Sequence, residues 1–136
     1  MATNSNIVKE ALSIIGVLDE TASLSAEQAD NGLSVMNDLL MEWDANDIDI
    51  GFFPQTDINA ESPIYSEALQ TVKFSLAIAL STYYGIDPRP AVVAIAVGGY
   101  KRLLRDAIVE KTKEADMTHL SPGAASWRRR YNILEG

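Results

Sequence analysis

The chain has 136 residues, no cysteine and a formal net charge of −8. That length fits one domain able to bury roughly two thirds of its unfolded surface, and the lack of cysteine excludes disulfides, thiolate nucleophiles and thiolate metal sites. The charge is uneven: residues 1–68 hold one basic and thirteen acidic side chains, residues 69–136 ten basic and six acidic, a balance that opposes nonspecific nucleic-acid binding as a primary role.

The longest uncharged stretch, Phe74 to Ile86, has thirteen residues and includes Ser75, Ser81 and Thr82, short of the roughly 18 apolar residues a membrane span requires. Met1 to Asn6 lack the basic and apolar regions of a secretory signal. Synthesis in the cytoplasm, without processing, is therefore expected.

In chain order, the first predicted helix runs from about Ser5 to Ile15. Ile7, Ala11, Ile14 and Leu18 keep helical spacing, and Gly16 stands where a left-handed cap would stop it. The second opens at Ser25 with Ser25-Ala26-Glu27-Gln28, a capping box. Its stripe of Ala29, Leu33, Met36, Leu40 and Trp43 leaves Asp30, Asn31, Asn37, Asp38 and Asp44 on the other faces, so one side must pack on a neighbour.

From Asp47 to Phe53 the period changes to two: Ile48, Ile50 and Phe52 alternate with Asp47, Asp49 and Gly51, the pattern of a half-buried strand. Ser62-Pro63 reads as the cap and first position of a third helix reaching Tyr84. Leu69, Val72, Leu76, Ala79 and Tyr83 form its main stripe, Phe74 and Ile78 a second, and Gly85 ends it. After the corner Asp87-Pro88-Arg89-Pro90, a fourth helix opens on Val92, Val93, Ile95, Ala96 and Val97. Its buried face is expected to continue through Leu103, Leu104, Ala107 and Ile108, with Lys101, Arg102 and Arg105 opposite. Gly98-Gly99 would allow close backbone approach.

The apolar period stops after Glu114. The fold expected is mainly α: a four-helix bundle-like core over residues 1–116 with one short β segment, and an extended C-terminal arm over residues 117–136. The arm carries Trp127, Arg128, Arg129, Arg130 and Tyr131 without a helical stripe, an aromatic and basic cluster suited to docking on a partner.

Signatures of chemistry are sparse. Asp44, Asp47 and Asp49 invite a calcium loop, yet counting from Asp44 the sixth and twelfth places hold Asp49 and Gln55, not glycine and glutamate. His119 is the only histidine, which excludes a histidine triad and the usual zinc ligands; it reads as a linker residue. No cofactor, metal or catalytic residue is expected. One enzymatic alternative stands: Glu42 beside Trp43 as a general acid, with Asp44, Asp47 or Asp49 as second carboxylate of a glycan-cleaving, muramidase-like pair. A DNA-binding accessory module resting on Arg128 to Arg130 is another.

The string EWDANDIDIGFF, Glu42 to Phe53, follows a helix opening SAEQAD and precedes a proline-led helix. Together with ALSIIGVL near the start, LAIAL in the third helix and GYKRLLRDA in the fourth, it resembles the tail accessory factors of short-tailed phages, also called packaged-DNA stabilisation or head-to-tail adaptor proteins. The resemblance implies a non-catalytic virion protein at the portal vertex. Its subunits, monomeric when free, form a ring, usually dodecameric, that lengthens the DNA channel, retains packaged DNA and docks a downstream tail protein.

By that analogy the arm grips the portal through Trp127, Arg128, Arg129, Arg130 and Tyr131, while Ile48, Ile50, Phe52 and Phe53 face neighbouring subunits or the tail. Twelve copies at −8 each would carry about −96, a field that repels DNA phosphates over roughly 8 Å and lets the genome pass without specific binding. Some relatives are linked to cell-wall hydrolysis, which bears on Glu42.

Overall fold

The computed structural model describes residues 2–119. Four α-helices account for most of them: α1 (Asn4–Ile14), α2 (Ala26–Ala45), α3 (Leu69–Tyr84) and α4 (Pro90–His119), with a 3₁₀ turn at Ser66–Ala68 leading into α3. The chain divides into two compact units, Met1–Leu103 and Leu104–Gly136. The first holds α1, α2, α3 and the opening of α4. The second holds the remainder of α4, where the Thr112 hydroxyl donates to the Ile108 carbonyl at 2.9 Å.

Helix ends follow the local chemistry of the sequence. The Thr3 hydroxyl caps α1 by accepting from the Asn6 amide at 3.2 Å. At α2 the reciprocal box forms: Ser25 Oγ accepts from the Gln28 amide at 3.2 Å and Gln28 Oε1 from the Ser25 amide at 3.1 Å, satisfying two donors the helix leaves open. Gly85 ends α3 in a left-handed conformation, φ +64°, and Pro90 occupies the first position of α4, where its missing N–H removes no helical bond.

In the first unit α1, α2 and α3 pack on one another. Ile7, Val8, Leu12, Met36, Leu40, Val72, Leu76 and Leu80 are essentially fully buried. Gly32 brings α2 against α1, since a Cβ there would collide with the Val8 side chain. Gly99 does the same between α4 and α3, where a Cβ would strike Thr71. The Trp43 and Tyr100 rings meet at 5.5 Å, tilted by 59°, and close the seam between α2 and α4.

Four expectations change. No strand forms among the described residues; the sole sheet-like pairing is an antiparallel bridge between Thr3 and Glu61. Over Ile48 to Phe53 the backbone turns, with positive φ at Asp47 (+65°) and Gly51 (+79°), which no extended strand tolerates. Alternating burial survives without the ladder, because Ile48 and Ile50 are each 3% exposed. The third helix begins at Leu69 rather than at Ser62-Pro63, because Ser62 is engaged elsewhere: its amide donates to the Ala2 carbonyl at 2.9 Å and its hydroxyl accepts from Ile64 at 3.4 Å.

The buried faces also rotate. In α3 the inward residues are Thr71, Val72, Leu76, Ala77, Leu80 and Ser81, while Tyr83 points out. In α4 they are Val92, Ala96 and Leu103, leaving Ile95, Val97 and Ile108 exposed. The helix itself continues to His119, past the end of the apolar period at Glu114, so residues 117–119 are helical.

Candidate partner-docking surface

The segment between α2 and α3 runs across the first unit as irregular backbone. Two devices fix its course. The first is a turn after α2, where the Ile48 amide donates to the Trp43 carbonyl at 3.0 Å and the Gly51 amide to Asp49 Oδ1 at 2.9 Å. Gly51 lies beneath the Tyr65 ring: a Cβ there would sit 2.9 Å from Tyr65 Cε1 and from the Pro63 carbonyl. The Tyr65 amide donates to the Ile50 carbonyl at 3.0 Å.

The second device is a polar clamp on Gln55. Asn37, on α2, holds that residue's backbone on both sides: its Nδ2 donates to the Gln55 carbonyl at 2.8 Å and its Oδ1 accepts from the Gln55 amide at 3.0 Å. The Gln55 side chain donates through Nε2 to the Phe53 carbonyl at 2.8 Å and accepts through Oε1 from Asn4 Nδ2 at 3.1 Å. Asn4, fully buried, also donates to the Asp57 carbonyl at 2.9 Å. Asn4 Oδ1 is itself buried without a hydrogen-bond partner among the described residues; the bonds that are made hold the clamp, since each one broken would leave a further desolvated polar group.

Between these devices stands Phe53, 61% exposed. An aromatic ring held in water by a pinned backbone has already lost most of the freedom a partner would otherwise have to remove, which favours tight docking. Phe52 is half-buried. Ile48 and Ile50 are buried within their own unit, so of the four residues that the resemblance turns toward neighbouring subunits or the tail, Phe53 is the one that is exposed. Met41, exposed one helical turn from Asn37, and Tyr65, exposed over Gly51, were not singled out from sequence. The clamp residues Asn4, Asn37 and Gln55 also escaped, because hydrogen bonds between distant amides leave no periodic trace.

Trp127, Arg128, Arg129, Arg130 and Tyr131 lie outside the described residues. Of the other candidates, Glu42 is exposed on the outer side of α2, whereas Trp43 is 4% exposed against Tyr100, so the tryptophan does not wall the carboxylate. Asp44, Asp47 and Asp49 are exposed. Among the described residues, no three His, Asp or Glu side chains gather where they could hold a metal ion. No described helix is long and apolar enough to cross a membrane. An open groove between α1 and α3 presents Lys9, Ser13, Glu20 and Gln70 around an ion pair of Lys73 and Glu10 at 2.6 Å; its charges are of both signs.

The described residues thus present a helical body that carries a pinned apolar loop, and comparison with protein families bears on what kind of protein this is. The P22 tail accessory factor family matches residues 1–124. The chain belongs to that family. The match takes in every described helix and the Phe53 loop, and it stops short of Trp127. Among curated proteins none matches the chain. A tail accessory factor is thus a mainly helical phage tail component, built here around α1 to α4.

Proposed function

We propose that this tail accessory factor is a non-catalytic head-to-tail connector. Its bundle-like helical core assembles with other copies, in a dodecameric ring, beneath the portal protein. The ring prolongs the channel through which genomic DNA passes without specific binding, retains the packaged genome and offers the next tail protein a platform. The pinned Phe53 loop is the contact toward the tail, and Trp127, Arg128, Arg129, Arg130 and Tyr131 are the contact toward the portal. The observation that carries this reading is Phe53 held exposed on rigid backbone within a chain of the tail accessory family.

Mixing the chain with its portal ring and imaging the product by electron microscopy tests the proposal. A ring of density added below the portal is the expected result, and a chain lacking residues 120–136 should fail to add it while remaining folded. Unaltered portal rings in the presence of the full chain would overturn the connector reading.

A further inference from the structure

The opening of α4 is apolar on every side, from Ala91 to Gly98, yet among the described residues its inward face is that of Val92, Ala96, Gly99 and Leu103. On the opposite side Ile95 is 40% and Val97 44% exposed, and a Cβ added at Gly98 would meet nothing within 4 Å. Helices apolar all round are ordinarily buried all round. Beside this apolar face stands exposed Lys101. We infer that it docks on a second copy of this chain, against the outer face of α2 around Met41.

The argument for that occupant is complementarity in both apolar character and charge. Glu27, Asn31, Ser34, Asp38 and Met41 follow one another at steps of four and three along α2, forming one exposed face. Its one large apolar group is Met41, 46% exposed, with Asp38 and Glu42 beside it and no lysine or arginine anywhere in the helix. Asp38 and Glu42 stand one turn apart as like charges, which weakens the helix unless a cation neutralises them. An apolar centre beside a cation on α4 thus matches an apolar centre beside carboxylates on α2.

The two faces do not compete. Trp43 and Tyr100 join α2 to α4 inside the unit, and both exposed faces lie on the far sides of their helices. Different patches on one chain give a head-to-tail contact, which closes into a ring when the rotation permits. This inference rests on the connector reading for its biological setting, and it names the surfaces that join neighbours.

Because the chain has no cysteine, the contact is open to disulfide trapping in the full-length protein. Met41→Cys and Val97→Cys variants are mixed under mild oxidation, with Thr21→Cys as an exposed control partner for each. The expected result is a linked Met41→Cys/Val97→Cys pair several-fold more abundant than either homodimer or any control pair. Adding Lys101→Glu to the Val97→Cys chain should remove that excess, and Asp38→Lys in its partner should restore it. Equal yields in all pairs, a predominance of the Val97→Cys homodimer, or indifference to Lys101→Glu would overturn the inference. Rings that form on the portal without the 41–97 link would overturn this contact alone, whereas the link in a chain that never joins a portal supports the contact and counts against the connector reading.

Discussion

Asn37 grips Gln55 with both ends of one amide, donating to its carbonyl at 2.8 Å and accepting from its N–H at 3.0 Å. A helix side chain thereby replaces the strand that would otherwise pair this backbone. Replacing Asn37 with leucine removes both bonds at once and strands two partly buried groups, at a cost of about 1–3 kcal/mol. Urea unfolding should report that loss. Amide exchange should quicken at Gln55 and its neighbours before the helices respond; uniform exchange throughout the unit would show that the clamp does not hold the loop locally.

Phe53 contributes little to its own unit, so Phe53→Ser is expected to change stability by no more than about 0.5 kcal/mol, as for other exposed positions. Binding of the downstream tail protein to assembled rings should fall at least tenfold. A stable variant that still binds the tail at full strength would move the tail contact elsewhere on the surface.

Gly98 and Gly99 are adjacent in sequence and opposite in meaning. Alanine at 98 enters open space and relieves a helix-weakening glycine, so the free chain should gain up to about 1 kcal/mol. Alanine at 99 strikes Thr71 and should cost about 1–3 kcal/mol through overpacking, part of it recovered by adding Thr71→Ala. Thermal unfolding of the three variants decides the matter, and equal effects at 98 and 99 would contradict the close crossing of α4 over α3.

Ser25→Ala removes the oxygen that accepts from Gln28 at the start of α2 and should destabilise the chain by about 1 kcal/mol. Serine to aspartate at the same place keeps an acceptor and should be nearly neutral. Chemical denaturation of the pair separates loss of the cap from loss of the residue.

Glu42→Gln tests the non-catalytic reading. Its carboxylate is exposed on α2, so particles carrying the variant should assemble and infect normally. Loss of cell-wall cleavage by particles with intact connector rings would transfer the role of general acid to Glu42 and revive the hydrolase alternative.

Local chemistry made much of this fold readable before any coordinates. The Ser25 box and the Gly85 stop each depend on a few adjacent residues, and each stands where the sequence puts it, whereas Pro90, read as part of the corner before the fourth helix, is the first residue of α4. The start of α3 was misread because Ser62-Pro63 has the look of a cap while the Ser62 amide is bonded to Ala2, sixty residues away in the chain. The strand at Ile48 was misread for a related reason: alternating burial is a property of side chains, and the positive φ of Asp47 and Gly51 belongs to the backbone. Of the candidate surface, Phe53 was read from sequence as the end of that strand and was turned toward neighbours or the tail by the family resemblance alone, together with Ile48, Ile50 and Phe52. The amides that immobilise Phe53 were not legible, since a buried Asn or Gln looks like any solvated one until its partners are known.

The pinned loop is also tied to the first turn of α1. The Asn4 amide donates to the Ala60 carbonyl at 3.0 Å, the Ser5 amide to Ile58 at 2.7 Å, and the Asn4 side chain reaches Gln55 and Asp57. Those same amides are the ones a helix start leaves without internal acceptors. Fraying of α1 therefore cannot proceed alone: it unhooks the segment that carries Phe53. A ligand seated on that ring would in turn protect the far helix from exchange, so occupancy at the loop becomes readable at residues that never touch the ligand.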